Sequence, residues 1–362
     1  MKLMYLMDTL YKAGGMEHIL TQKANALSRD YGHEVIIVTN HQKGRPRFFQ
    51  LEEGVRHIDI DVNYRLPFLM PLYVRRLSAV ILKEKPDVLI SLCMMDLRIL
   101  HKLPRTGAVM AEFHFCREAF RVKGQERRLR RMEKAVQGLD CFVALTKEDA
   151  QLWEPYCRRV EQIYNPSFMP VPQKWPAWAD ARRCISAGRL EPQKNFRDLV
   201  RAWKQVHQKH PDWTLDIYGN GRQKKQLFRA IAQEGLQDCV RLHPATRELH
   251  REMLESSLFV MSSVYEGFPL VMIEAASLGL PFVSYACPCG PSEFVADGED
   301  GYTVPVGDVE ALSQRICLCI EQPQALQAMG KHIREKASAF SVQDIMDRWD
   351  RLFRSLAPVA SH

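Results

Sequence analysis

The chain has no apolar run approaching the ~20 residues that cross a bilayer, and no GxGxxG, so a nicotinamide-type dinucleotide site is not supported. None of its ten cysteines forms a CxxC, and Cys287/Cys289 and Cys317/Cys319 lack His or Cys partners at zinc-site spacing. Reduced, mostly buried thiols in a cytosolic protein are the expectation. The opening MKLMYLMD is too short for a secretory leader and reaches an acid too soon, so it reads as a first buried strand. No DxD-type metal motif directly follows an expected strand, no internal repeat or low-complexity tract occurs, and the basic stretch over residues 117–134 lacks the interleaved aromatics or module expected of a nucleic-acid binder.

What is present is an ordinary globular composition, 46% apolar and 26% charged over 362 residues, enough for two domains. The net charge of +7 is unevenly placed: residues 1–175 hold 28 Lys+Arg against 20 Asp+Glu, and the remainder 22 against 23. Short apolar runs alternate with helical patterns. KLMYLM, EVIIVTN, DVLISL, AVMAEFH, DCFVALT and VEQIY form one series, with helices expected through Asn25 and Leu27, over Pro71–Lys85 and along one long basic segment. CISAG, TLDIYG, CVRLH, LFVMSS, PFVSY and YTVPV form a second series. Such alternation predicts parallel sheets covered by helices on both faces. Between the series, PSFMPVPQKWPAWAD (Pro166–Asp180) has four prolines, two tryptophans and no periodicity, as a linker does. The expected division is 1–168, a linker over 169–180, 181–340, and a closing helical segment over 341–362.

Parallel sheets bind ligands beyond the carboxyl ends of their strands, so loops after strands carry the candidate residues. Gly14-Gly15 stand just before the first helix, where glycines permit close backbone approach and the helix start offers N–H groups to an anion; a tight turn explains the pair equally well. His114 follows AVMAEF, either as a site residue or as a structural histidine. In GRLEPQKN, Arg189 and Lys194 precede a helix, which makes an anion site or else a solvated basic loop. The segment EGFPLVMIEAASLG holds Glu266 and Glu274 eight residues apart, the second in a helix apolar on nearly every side. A glutamate there is costly unless hydrogen-bonded, whether by a ligand or by a structural arginine or neighbouring loop.

These motifs together (GG-x-E, the strand-end His, GRLEPQKN, IYGNG, EGFPLVMIE and DGEDGYTVPVGD) resemble, in order and over nearly the whole chain, the retaining glycosyltransferases of the GT-B fold in family four. The resemblance implies an α/β architecture of two doubly wound Rossmann-like domains facing a cleft, with FSVQDIMDRWDRLF as the helix that crosses back to the first domain. It implies transfer of a hexose from a nucleotide-diphosphate sugar to a glycan or lipid-linked acceptor in cell-surface polysaccharide synthesis, without metal or cofactor. Arg189 and Lys194 would grip the diphosphate, and Glu274 the ribose hydroxyls. Glu266 would take a hydroxyl of the transferred sugar. Backbone N–H groups of Gly267, Phe268, Pro269, Leu270 and Val271 (the proline supplying only its carbonyl) would form the donor-binding helix start. Gly14 and Gly15 would face the diphosphate, with His114 near the sugar. The loop ACPCGPSEF, in place of the commoner GG-x-PE, resembles bacterial polysaccharide enzymes that use UDP-hexoses, which favours UDP. The loop HPATRE, where a glycine is usual, leaves the base less defined. Alternatives on the same fold are a nucleotide-sugar epimerase, a phosphorylase, or a non-catalytic nucleotide-sugar-binding partner.

The acceptor belongs to the first domain. Residues 63–77 mix apolar side chains with Arg65, Arg75 and Arg76, and residues 117–134 hold eight basic residues and three acids. Both stretches suit an anionic membrane surface, which would place a cytoplasmic protein at the inner face of the membrane. They equally suit a solvated face over ordinary core.

Overall fold

The computed structural model describes residues 1–12, 14–64, 66–92, 97–169, 181–293 and 295–356. The chain divides into two compact units, residues 1–165 with 342–362, and residues 166–341. Most of the expected linker, residues 170–180, lies outside the described residues. Residues 166–169 belong with the second unit, where the Ser167 amide donates to the Phe340 carbonyl (2.8 Å) and the Ser277 hydroxyl donates to that of Ser167 (2.7 Å).

The first unit is a parallel sheet of β1 (Lys2–Met7), β2 (Glu34–Thr39), β3 (Val55–Asp59), β4 (Val88–Ser91), β5 (Ala108–Phe113), β6 (Cys141–Ala144) and β7 (Val160–Gln162), in the order β3-β2-β1-β4-β5-β6-β7. Helices α1 (Gly15–Arg29), α2 (Met70–Glu84), α3 (Glu118–Val122), α4 (Glu126–Val136) and α5 (Lys147–Trp153) run between strands. Successive side chains of a strand point to opposite faces, and β1 shows the consequence. Met4 and Leu6 join the core under α2 and α4, whereas Leu3 and Tyr5 join the core under α1. Burial on both faces explains why these strands read as continuous apolar runs.

Two expectations need correcting. The edge strand β3 has no counterpart in the expected series: in VRHID only Val55 is buried, so no apolar run marks it. The long basic helix is broken into α3 and α4 by Lys123 and Gly124; Gly124 takes a left-handed φ of 61°, which ends one helix and redirects the chain into the next.

The second unit repeats the design with β8 (Arg183–Ala187), β9 (Thr214–Tyr218), β10 (Val240–His243), β11 (Leu258–Met261), β12 (Phe282–Tyr285) and β13 (Gly301–Val304), all parallel in the order β10-β9-β8-β11-β12-β13. Its helices are α6 (Phe196–Lys209), α7 (Lys224–Gln233), α8 (Leu249–Leu254), α9 (Leu270–Ser277), α10 (Val309–Glu321) and α11 (Pro323–Ala337). The closing helix α12 (Val342–Leu356) belongs to the first unit, where Ile345, Met346, Trp349 and Phe353 pack with Leu20, Ala24 and Leu27 of α1.

Each sheet reverses its strand order once, between β1 and β4 in the first unit and between β8 and β11 in the second. At such a reversal the loops on either side part and leave a crevice at the carboxyl ends of the strands. GRLEPQKN follows β8 and VYEGFP follows β11, so topology alone brings these two segments to the same crevice.

The nine described cysteines are free and buried, and burial raises the thiols of Cys141 and Cys319 to about 12. No described helix is long and apolar enough to cross a membrane.

Candidate functional site

The β8 loop is built on glycines because two backbones meet there. The Gly188 amide donates to the Tyr218 carbonyl (3.0 Å), and the Leu190 amide to the Asn220 carbonyl (2.9 Å). A Cβ on Gly219 would collide with the Gly188 carbonyl, and one on Gly221 with that of Leu190. GRL and IYGNG are therefore two sides of one contact. A Cβ on Gly188 would also fall 2.9 Å from Lys194 Cε, so this glycine leaves the path along which the lysine stem runs. Asn195 then takes a left-handed φ of 46° and opens α6.

Lys194 and Glu266 meet at 2.7 Å, Nζ to Oε1, with side chains only 12% and 7% exposed. Gln193, which no motif singles out, holds the arrangement. Its Nε2 donates to Glu266 Oε2 (3.2 Å) and to the Tyr265 carbonyl (3.0 Å), while its own carbonyl accepts from the Val264 amide (2.9 Å). The Ser262 hydroxyl donates to the Lys194 carbonyl (2.9 Å). Together these contacts lace the β8 loop to the β11 loop. Arg189 stands exposed at the rim, its Nη2 donating to Gln193 Oε1 (3.4 Å).

Helix α9 begins after Pro269, with no side-chain cap. Uncapped N–H groups at a helix start present partial positive charge to an anion. Phe268 is buried near the Phe340 ring, and Gly267 and Leu270 remain partly accessible. Gly290, in the loop after β12, packs so closely that a Cβ there would lie 3.3 Å from Glu266 Cβ and from Pro269 Cδ.

Glu274 lies in α9 among Val271, Met272, Ile273, Ala275 and Ala276, all buried. Neither the structural arginine nor the neighbouring loop is there to meet it: no hydrogen bond or ion pair to its carboxylate is found among the described residues. Burial alone pushes that carboxyl up to about 7. A half-buried carboxylate without a partner is a poised acceptor, for which ligand hydroxyls are a fitting complement.

A further polar cluster, unmarked in the sequence, lies across β8, β9 and β10. Buried Asp216 meets His243 Nε2 at 2.6 Å and also Arg183, whose Nη2 reaches Glu252 (2.6 Å), and Tyr218 stacks on His243 at 4.5 Å.

In the first unit Gly14 is the N-cap of α1 and Gly15 its first residue; a Cβ on Gly14 would collide with the carboxylate of Glu17, which folds back over the helix start. His114 follows β5 directly, its Nε2 3.2 Å from Glu112 Oε1. Behind it, Glu112 forms a wholly buried ion pair with Lys23 of α1, and Lys23 Nζ lies 3.9 Å from the Trp349 ring centroid and 5.2 Å from that of Tyr5. Burial would raise the Glu112 carboxyl, but the Lys23 and His114 charges outweigh it and bring it down to about 2; burial also lowers the Lys23 ammonium.

The expected basic and apolar stretches are only partly surface. Phe68 is 75% exposed and Leu66 and Leu72 are exposed too, whereas Tyr64 and Tyr73 are core, and Arg65 lies outside the described residues. Arg117 is not part of an exposed basic face. It is buried, ion-paired with Glu133 and set against the Tyr156 ring. No cluster of His, Cys, Asp and Glu suited to a metal ion occurs among the described residues.

The geometry now has a context among known proteins. The family described as Glycosyltransferase Family 4 matches residues 13–166, and that described as Glycosyl transferases group 1 matches residues 171–336. Together they span both units, and the chain belongs to the GT-B glycosyltransferases that carry these two domains. An uncharacterized glycosyltransferase of Haemophilus influenzae is 26% identical, over 96% of this chain and 98% of its own. The lipopolysaccharide core biosynthesis glycosyltransferase LpsE of Rhizobium meliloti is 25% identical, over 95% and 97%. Other relatives are spanned for only 24%, 35% and 47% of their own lengths. Among solved structures, HepE of Anabaena in complex with UDP and glucose shares the fold with a TM-score of 0.80 at 18% identity, covering 98% of this chain and all of that one.

Proposed function

We propose that the protein transfers a hexose, with retention of anomeric configuration, from UDP-sugar to a glycan or lipid-linked acceptor in cell-surface polysaccharide synthesis. The observation that carries this reading is the Lys194–Gln193–Glu266 arrangement beside the uncapped start of α9, with unpartnered Glu274 in the same helix. The UDP-bound neighbour and the lipopolysaccharide relative support the donor and the pathway class.

In this mechanism the bond from the anomeric carbon to the diphosphate oxygen breaks as the bond to the acceptor oxygen forms on the same face. The acceptor's proton passes to the departing phosphate. Positive charge builds on the sugar and negative charge on the diphosphate; Arg189, Lys194 and the N–H groups of α9 oppose the latter, as preorganised dipoles and cations do. Those two cations take the part that a divalent metal plays elsewhere, so no metal or cofactor is required. Lys194 is held by Glu266 until a diphosphate competes for it, and Glu266, still fixed by Gln193, is then free to accept from a sugar hydroxyl. Glu274 accepts from the ribose hydroxyls.

The test is release of nucleoside diphosphate from a panel of UDP-, GDP- and ADP-sugars, with chelator present. Slow turnover of one UDP-sugar, lost in Glu274→Gln, is the expected result. A protein that neither turns over nor binds any of the panel would defeat the donor-site assignment.

A further inference from the structure

The first unit contains a cavity of about 590 Å³ that the donor reading leaves unused. Arg98, from the segment after β4, meets the turn through Gly124 and the first two turns of α4, which supply Arg127, Arg128, Arg131 and Met132; among the described residues Glu126 is the one acid on its wall. β4 and β5 are neighbours in the parallel sheet, and both wall segments follow the carboxyl ends of these strands, the side on which such sheets bind ligands.

Charge at this cavity differs from charge nearby. Arg121 is paired with Glu118 (3.0 Å), and Arg117 with Glu133. Arg127 and Arg131 stand four residues apart on the exposed side of α4, where like charges repel. Neither has an acidic partner among the described residues. Buried Leu129 and Met132 fix the helix beneath them, so the repulsion is not relieved by moving the backbone. Guanidinium forks match phosphate oxygens in a bidentate manner. No aromatic ring is among the described residues that line the cavity, so these residues offer nucleobase stacking no platform. Its volume falls within the range of small-molecule sites and exceeds what one diphosphate fills, so attached groups have room.

We propose that this arginine-lined cavity binds a phosphate or diphosphate group carried by the acceptor. The inference rests on the transferase reading, because the donor's diphosphate has its own cations, Arg189 and Lys194, in the other unit.

The test uses the full chain with saturating UDP to occupy the donor site. Inorganic pyrophosphate and farnesyl diphosphate are titrated by calorimetry, and vesicles with and without phosphatidylglycerol are tested by sedimentation. The expected result is diphosphate binding that weakens with salt and falls at least tenfold in Arg127→Gln/Arg131→Gln. Arg130→Gln/Lys134→Gln removes the same charge from the same helix away from the cavity and leaves binding unchanged. Equal binding of both diphosphates identifies the phosphate groups as the ligand; preference for farnesyl diphosphate identifies the lipid-linked form. Equal losses in the two double variants would overturn the site in favour of a diffuse charge effect. Binding to phosphatidylglycerol vesicles with neither diphosphate bound would overturn it in favour of a membrane-docking face. Should UDP fail to bind, the donor reading falls, and the difference between the two double variants still reports on this cavity.

Discussion

Each unit contains a buried lysine–glutamate pair at or just below the carboxyl ends of its strands, and the two differ in a way that separates architecture from chemistry. Lys194 and Glu266 retain 12% and 7% exposure, whereas Lys23 and Glu112 are 1% exposed each. The first pair spans two loops at the strand-order reversal and is supplemented by Gln193, and in the proposed mechanism it exchanges its partner for a ligand. The second is sealed beneath Tyr5 and Trp349 and ties α1, β5 and α12 together. Burying both charges costs several kcal/mol per ion before the pair repays it. In the sealed pair that cost is met without any ligand, so its function is to hold His114 and the helices in place. In the open pair, access by a ligand is what the arrangement provides.

Breaking the sealed pair has the largest expected effect. Lys23→Met leaves Glu112 buried beside His114 but without its ammonium partner, and a loss of about 3 kcal/mol in unfolding free energy is expected, the lower end for breaking a buried pair. The double variant Lys23→Met/Glu112→Gln recovers most of it. The sign with pH follows from the depressed Glu112 carboxyl: its contribution is present above the ordinary carboxylate range and is lost as pH falls toward about 2. The deficit of Lys23→Met is therefore greatest at neutral pH and shrinks on acidification, as denaturant melts at pH 7 and pH 4.5 measure. A deficit independent of pH would mean that packing against Trp349, not charge, is what the lysine supplies.

The open pair responds in turnover. Lys194→Ala is expected to lower kcat/KM by about 10²–10³, the effect typical of removing one preorganised group that opposes developing charge. Its folding deficit stays below that of Lys23→Met, because Gln193 still donates to Glu266 and water can reach the site. Stopped assays of nucleoside diphosphate release, beside melts of both variants, test the contrast directly.

The two pairs are not equally visible in the sequence. Lys194 and Glu266 stand in segments that announce themselves, a Gly-Arg-Leu loop after one apolar strand and a Glu-Gly-Phe-Pro turn after another. Gln193 stays hidden because nothing about a glutamine between two cation positions marks it as the bridge. Lys23 and Glu112 are 89 residues apart, and one sequence does not reveal such a pairing. A signal exists all the same: Lys23 falls on the same face of α1 as Leu20, Ala24 and Leu27, and Glu112 interrupts the apolar run of β5. A charge on each of two buried faces implies a partner. The strands are legible because both faces of a parallel sheet are covered; β3, with one buried residue, is not. The break at Gly124 is hidden by the uniform basic character on both sides.

Glu274 offers a third, smaller test, since it is a half-buried carboxylate with no partner among the described residues. Its folded carboxyl sits at about 7 against an ordinary value of 4.5, so the stability that its protonated form allows is present below 4.5 and is lost as pH rises through 7. Glu274→Gln should therefore match the wild type near pH 4.5 and exceed it by about 1–3 kcal/mol at pH 8, each tenfold change in proton affinity being worth about 1.4 kcal/mol. The same variant should lose donor turnover. Gain of stability with loss of function is the signature of a carboxylate kept for a ligand.

Gly290→Ala refines the open pair from outside. The added Cβ would lie 3.3 Å from Glu266 Cβ and from Pro269 Cδ, tight contacts that a shift of a few tenths of an ångström relieves. The cost to folding is expected near 1 kcal/mol, roughly the lower end for overpacking by one methyl group. What moves is Glu266 relative to Gln193 and Lys194, and a displaced sugar contact raises the donor KM more than it lowers kcat. Gly219→Ala is the matched control, because there the collision is with the Gly188 carbonyl, which cannot yield without opening the β8 turn. A Gly290→Ala enzyme with unaltered donor KM would show that Glu266 does not contact the transferred sugar.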